Sequence, residues 1–300
     1  MKLSYIDPAR GEANQFWRYL LTFFAILWFS LGAGVILAVV AIAVEGSPDI
    51  TTYSNVTMLL LTMLPFPFAL LALWGGLKLL HKRGLMSLLR PGGGFSWAKV
   101  LLSGAIWLGL AGASDLVLWL IDPTNYSFSF NPAAFFPFLL LTLALVPVQT
   151  STEELIVRGY LTQWMGRFSQ KIWLPLIVPA VVFMALHGLN PEVGAYGMLL
   201  TLPLYLGIGL LLGWVTLKSG GLEMALGLHA ANNLYATLLV TFPNTALPAP
   251  ALFNIKVYDP LLALVQLVIV MVLYLGILYT WKRSWLAQEE EVIMQRSLQL

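Results

Sequence analysis

Apolar residues in this chain run on for long uninterrupted stretches, and about 20 of them in a row are what a helix needs to cross the ~30 Å hydrocarbon core of a bilayer. The first run extends from Phe16 to Val44. The separators between runs carry turn chemistry: Glu45 to Asn55, Pro91-Gly92-Gly93-Gly94, Asp122 to Pro132, Asn190 to Gly194, Ser219-Gly220-Gly221, and the proline-rich stretch from Phe242 to Pro250. Reading the runs between them predicts eight helices, near 16–44, 56–80, 98–121, 133–160, 174–190, 196–217, 221–242 and 258–282. The fold class that follows is all-α, a polytopic transmembrane helical bundle. No repeat and no separate soluble domain is visible, so residues 1–300 read as one integral membrane domain with a short charged tail from 281 to 300.

Composition narrows the function. Hydrophobic residues make up 59% of the chain and charged residues 10%, against roughly 25% charged in a soluble domain. The net charge of +2 is small and its basic residues are scattered between apolar runs, so no nucleic-acid surface is expected. The absence of cysteine removes disulfides, thiolate metal sites and a cysteine nucleophile. A secretory signal peptide is a poor account of the first run, despite the small-x-small step at Ala41-Ile42-Ala43. The run is far longer than the ~7–15 apolar residues of such a segment.

The positions of Lys and Arg set the orientation. One set of alternate loops carries Lys2, Arg10, Arg18, Lys82, Arg83, Arg90, Lys99, Arg158, Arg167, Lys171, Lys218, Lys282, Arg283 and Arg296, with Lys78 at the adjoining helix end. The opposite set carries Lys256, so 15 of the 16 basic residues agree with both termini being cytoplasmic and with an even helix count. A multi-pass protein of a prokaryotic cytoplasmic membrane is the expected setting, with the lipid bilayer as its first partner.

Ionisable groups inside spanning segments cost ~2.5–3.5 kcal/mol each on insertion scales, so each requires a reason. They are Asp115, Glu153, Glu154, His187, Glu223 and His229, with Arg158 near a helix end. Glu154 and Arg158 are four apart on one face, in the favourable order for an ion pair. Glu153 is turned about 100° from Glu154 and is left over. Alone, it could accept hydrogen bonds from another helix or be wet at the interface. His229 and Asn233 are also four apart and share a face, as a catalytic pair or as a polar seam between helices. Asp115 reads as a bond within the bundle, Glu223 as a helix N-terminal acid, and His81, beside Lys82 and Arg83, as surface. Depth is a further test at 1.5 Å per residue. Glu153 lies ~7–8 Å inward from Arg158, His229 ~13 Å from Gly220, and His187 ~24 Å from Lys171. Pro175 and Pro179 predict a late start or a kink that returns His187 to mid-depth.

In this order the pieces resemble the CAAX protease and bacteriocin-processing family of intramembrane glutamic endopeptidases, which includes the type II CAAX-prenyl proteases. The likeness rests on Glu153-Glu154-x-x-x-Arg158 followed by Gly159-Tyr160, on Phe183-x-x-x-His187, and on His229-x-x-x-Asn233 preceded by Gly213-Trp214 and Lys218-Ser219-Gly220-Gly221-Leu222. It covers about residues 133–240, a motif-bearing catalytic core. The resemblance implies hydrolysis of a peptide bond in a membrane-anchored substrate, prenylated and CAAX-type or a leader peptide. Glu153 would be general base on a water aided by His187, with His229 and Asn233 donating to the oxyanion and Glu154 and Arg158 in support. Fixed donors in a dry site suit that task, and a carboxylate withdrawn from water becomes a better base.

Zinc is the competing chemistry, since two histidines and carboxylates could ligate it with a position left open. The His-Glu-x-x-His pattern is absent, and no cofactor is expected. A transporter would spread polar groups along several helices, whereas here they cluster. A proteolytically silent immunity or scaffold protein would keep the fold without the chemistry. Nothing in the sequence names an oligomeric state.

Overall fold

A computed structural model describes residues 5–7, 13–91, 93–169 and 171–286. Among these, eight principal helices follow one another: α1 (Phe16–Glu45), α2 (Asn55–Leu79), α3 (Trp97–Ile121), α4 (Pro132–Gly166), α5 (Trp173–Leu186), α6 (Met198–Ser219), α7 (Glu223–Leu238) and α8 (Pro260–Trp281). Six are long and apolar enough to cross a membrane, whereas α5 is a shorter apolar helix and α7 is short and carries the polar motif. The chain is an all-α, multi-pass membrane bundle. The tail beyond residue 286 lies outside the described residues, as do Lys2, Arg10 and Gly92.

Its polarity is inverted relative to a soluble bundle. On α1, Trp28 and Val35 point outward with 70% and 66% of their surface exposed, while Thr22 is buried. Such an outer face suits lipid, and the interior can then hold polar groups that find one another. Helix ends are fixed by local chemistry. Asn131 and Asp259 accept hydrogen bonds from free amides at the starts of α4 and α8, and Pro132 and Pro260 occupy the first helical position, where a missing N–H costs nothing. Gly220 ends α6 at φ 71°, the left-handed conformation glycine adopts readily.

Helix α7 is the axis of the bundle, packed against α3, α4 and α6. At its crossing with α3, Gly104 and Gly227 bring the two backbones together: a Cβ on Gly104 would meet the Gly227 carbonyl oxygen at 2.9 Å, and one on Gly227 would be driven into the Val100 carbonyl. Small residues permit this approach. Asp115 of α3 ties the far end, accepting from Tyr235 (2.7 Å), Tyr126 (3.0 Å) and Gln266 (3.2 Å). There three short strands, β1 (Tyr126–Phe128), β2 (Val240–Thr241) and β3 (Phe253–Ile255), form a sheet in the order β1-β3-β2; β1 and β3 lie where the sequence predicts loops, whereas β2 takes residues predicted to end the seventh helix, which stops at Leu238. β3 pairs antiparallel with β1 and parallel with β2.

The opposite end of the bundle is closed by a plug. The Met86–Leu89 turn lies under Gly159 of α4, where a Cβ would meet that of Leu88 at 3.1 Å. Arg90 pairs with the buried Glu223 at 3.3 Å, an anchor stronger than the helix-terminal role the sequence suggests. His81 corrects a prediction: it is 3% exposed rather than on the surface. Its Nδ1 donates to Asn14 (2.9 Å) and its Nε2 accepts from the Tyr160 hydroxyl (2.6 Å). Burial, reinforced by Arg83, lowers its pKa from 6.5 to about 4. Of its basic neighbours Lys82 is exposed, whereas Arg83 is part-buried and donates to Gln163 Oε1 at 2.7 Å.

Two stability tests follow from this packing. Gly227→Ala forces a methyl into backbone that cannot move aside as a side chain could, and overpacking costs ~1–3 kcal/mol. A thermal melt in detergent should show a clearly lowered midpoint, and an unchanged one would refute the close crossing. Folded His81 binds its proton below the pH at which the unfolded chain does. The stability of the neutral ring is therefore intact above pH 6.5 and is lost as pH falls toward 4. Wild type should lose more stability than His81→Gln across that interval, and parallel curves would exclude the assignment.

Candidate active site

The acidic pair lies near the end of the α-helical part of α4. The next seven residues, Leu155–Leu161, wind as a π-helix before α-helix resumes to Gly166. Such inserted π turns recur at functional sites. The sequence predicts a helix ending near 160, and the extension changes the depth argument. α4 and α5 form a hairpin across residues 167–172. Glu153 lies thirteen residues above Gly166 and His187 fourteen above Trp173, about 20 Å of helix on each arm. The two residues therefore reach similar depth without the predicted late start or kink: α5 runs unbroken through Pro179 and ends at Leu186 rather than near 190. Arg158, placed by its charge near a cytoplasmic loop, is instead fully buried.

The centre of the site is one oxygen. Oε1 of Glu154 accepts from Arg158 Nη1 at 2.9 Å and from His229 Nδ1 at 2.7 Å, with Glu154 and Arg158 both 0% exposed. A carboxylate oxygen only accepts, so Nδ1 of His229 carries a hydrogen. The opposite nitrogen, Nε2, lies 3.6 Å from Glu153 Oε2. One imidazole thus spans both acids. Glu154 is therefore more than a partner for Arg158, since it also sets the orientation of His229. Glu153 keeps 16% of its side chain accessible, consistent with a group that meets a reactant, while Glu154 keeps none.

Asn233, one turn beyond His229, donates from Nδ2 to Gln149 Oε1 at 3.2 Å. Gln149 is one turn before Glu153, so two residues of α4 face two of α7 in matched steps: Glu153 opposite His229, and Gln149 opposite Asn233. Behind them Asn232 donates to Asn233 Oδ1 and accepts from the Trp107 indole, both at 3.2 Å. Gln149 is a neutral amide, so the cost that marks ionisable groups in spanning helices does not mark it. Its signal was its position, four residues from Glu153 in an apolar helix.

His187 is not in contact with Glu153. The Phe183 ring stands between the His187 and His229 sides of the site, 4.4 Å from the first ring and 5.8 Å from the second, with the Arg158 guanidinium 4.0 Å from its face. The first motif position of α5 is thus a hydrophobic wall that buries the Arg158 cation. The structure brings Glu153, Glu154, Arg158, His229 and Asn233 together and leaves His187 one ring away. Asp115 and Glu223 stay outside, each with its own partners.

Glu154 Oε1 already receives two N–H donors, and no group of three His, Asp or Glu side chains among the described residues is arranged to hold an ion. The positive charge beside Glu154 is a guanidinium.

Removing that guanidinium tests the arrangement. Breaking a buried pair leaves an uncompensated charge and costs ~3–5 kcal/mol. Arg158→Met should therefore fold poorly alone, and Arg158→Met combined with Glu154→Leu should regain much of the stability. A double variant no more stable than the single one would show that the pair is not coupled.

Comparison with known proteins bears on the same stretch of the chain. The family model described as type II CAAX prenyl endopeptidase Rce1-like matches residues 132–235, from the start of α4 into α7. The uncharacterized protein YyaK of Bacillus subtilis (strain 168) is 30% identical over 269 residues, covering 86% of this chain and 89% of its own length. No solved structure matches. With its three motifs carried on α4, α5 and α7 of a membrane bundle, the chain belongs to the Rce1-like family of type II CAAX prenyl endopeptidases, which are membrane proteases.

Proposed function

We propose that this protein is a glutamic intramembrane endopeptidase that hydrolyses a peptide bond of a membrane-anchored peptide, in the cytoplasmic membrane of a prokaryote. A prenylated CAAX-type tail is the substrate class we favour, because the lipid would hold the peptide at the bilayer. The observation that carries the reading is the imidazole of His229 set between a buried, charge-paired acid and a partly accessible one.

Glu153 takes a proton from a water whose oxygen attacks the scissile carbonyl carbon, a step that general-base catalysis accelerates ~10²–10⁴-fold. The carbonyl π bond opens onto oxygen, and the resulting oxyanion accepts from His229 Nε2–H and from the second N–H of Asn233, the first being engaged by Gln149. In this step His229 carries hydrogen on both nitrogens, the other donating to Glu154. Collapse of the intermediate breaks the C–N bond, and the proton held by Glu153 passes to the leaving amine. His187 assists from beyond Phe183, on the side where its Nε2 is open. Glu154 and Arg158 hold His229 and the π segment in place. No metal enters the scheme.

The test is cleavage by purified protein in liposomes of a farnesylated CAAX-ended peptide and its unprenylated counterpart. Glu153→Gln should lower kcat by at least 10²-fold with the fold intact by thermal melt, and exhaustive chelation should leave wild-type activity unchanged. Equal cleavage by wild type and Glu153→Gln would remove the base, and loss on chelation reversed by zinc would replace it with a metal-bound water.

A further inference from the structure

The connection between α5 and α6 holds a polar cluster that the hydrolytic scheme does not use. The sequence places residues 190–194 in a loop. They form instead part of a short helix, Pro191–Tyr196, that turns Glu192 inward until 6% of it remains exposed. The Tyr205 hydroxyl of α6 donates to Glu192 Oε1, and Asn190 Nδ2 reaches both groups, at 2.9 Å from the hydroxyl and 3.2 Å from the carboxylate. The second carboxylate oxygen of Glu192 is buried with no hydrogen-bond partner among the described residues. A buried acid of this kind in a membrane protein costs stability, and fastening a turn to its neighbouring helix would be one return for it.

The aromatic partner indicates a further role. Tyr205 is the ring on which His187 stacks, with centroids 4.4 Å apart and planes inclined by 27°. Phe183 lies 4.4 Å from the same imidazole. His187 Nδ1 is 2.8 Å from the Phe183 carbonyl oxygen, which only accepts, so that nitrogen carries the hydrogen and Nε2 of the neutral ring is an acceptor. Nε2 has no protein partner among the described residues. The cluster and the histidine share one turn, since the Asn190 amide donates to the His187 carbonyl at 3.1 Å.

We propose that Tyr205 is a positioning residue for His187, and that Glu192 and Asn190 fix Tyr205 through its hydroxyl. The stack sets the plane of the imidazole, the Phe183 carbonyl sets its tautomer, and together they present Nε2 as a lone-pair acceptor beside the hydrolytic centre. A fastener for the turn alone would have no need to carry the ring on which the histidine rests. The proposal rests on the reading of His187 as part of the hydrolytic site, but its geometric half can be tested without a substrate.

The chain has three histidines, so nitrogen NMR of protein labelled in histidine resolves each ring, with His187→Gln assigning its signals. In alkaline buffer wild-type His187 should be a single Nδ1–H tautomer. Tyr205→Leu removes the platform and should give His187 mixed-tautomer, broadened signals while His81 and His229 are unmoved. Tyr205→Phe keeps the stacking ring but loses the hydroxyl that Glu192 and Asn190 hold, and its His187 signals should fall between those of wild type and Tyr205→Leu; signals identical to wild type would remove Glu192 and Asn190 from the positioning role. On the farnesylated peptide, Tyr205→Leu should lower kcat on the order of tenfold to a hundredfold, as loss of orientation does, with KM unchanged, and Tyr205→Phe should recover part of it. A merely structural role would shift the melting temperature without separating kcat from KM. Tyr205→Leu with wild-type nitrogen shifts overturns the positioning role, whatever its activity. If His187→Gln and Glu153→Gln cleave like wild type, the hydrolytic reading fails while the nitrogen spectra still decide the stack.

Discussion

The structure depends on how Glu154 is neutralised. A carboxylate with no exposed surface inside a bilayer bundle is tolerated only if its charge is met directly, and here one oxygen receives both the Arg158 guanidinium and the His229 imidazole. Arg158 lies on the same helix and His229 on a neighbour. The charge therefore both steadies the π segment of α4 and fixes the rotation of α7 against it. Each surrounding feature serves that junction. Phe183 covers the guanidinium from α5, and the Gly104–Gly227 crossing lets α3 support α7 two residues before His229. Gly159 admits Leu88 beneath the segment.

The level of the site in the bundle follows from chain lengths. α4 and α5 rise from a common turn by nearly equal numbers of residues to Glu153 and His187. α7 begins higher, because the Met86–Leu89 turn is folded beneath it, with the Leu222 amide bonded to the Leu89 carbonyl. His229 therefore needs fewer residues to reach the same acids. The plug that raises α7 is itself held by His81, Tyr160 and the Arg90–Glu223 pair. Residues at the end of the bundle with no chemistry of their own thus set the register of the site.

The sequence revealed the bundle because lipid imposes a simple rule, long apolar runs with basic residues on one side, and the runs from Phe16 and from Pro260 obey it. It revealed Glu153, Glu154, His229 and Asn233 because polar groups among apolar residues are conspicuous. What it hid had a physical basis in each case. Gln149 is uncharged, so the cost that flags intramembrane acids does not flag it. His81 precedes the exposed Lys82, and local composition cannot show that Asn14 and Tyr160 enclose it. Glu192 follows Asn190-Pro191, which reads as a turn, and only the tertiary fold shows that the turn tucks its acid under Tyr205. α4 runs past its predicted end because Arg158 signals a membrane boundary by its charge, whereas here its charge is met by Glu154. A buried ion pair defeats the positive-inside rule locally, since that rule counts basic residues without asking what they face.

In the proposed hydrolysis the same neutralisation explains how the reaction can run in a medium of low polarity. As water attacks, the proton moves to Glu153 and the negative charge moves from that carboxylate to the carbonyl oxygen, so the site as a whole neither gains nor loses charge. The cationic groups need not move to follow it. Arg158 and His229 are fixed by Glu154, whose own charge is unchanged throughout, and His229 Nε2 faces the region between the point where the charge starts and the point where it arrives. Donors fixed in advance need no reorganisation when the charge arrives, and in a water-excluded site that preorganisation is worth more than it would be in water. On this account the two adjacent acids divide a single requirement. Glu154 must be buried and paired so that His229 is rigid, and Glu153 must stay accessible so that it can exchange a proton. Neighbouring positions on a helix, pointing about 100° apart, place one acid in the protein interior and the other at its reactive edge.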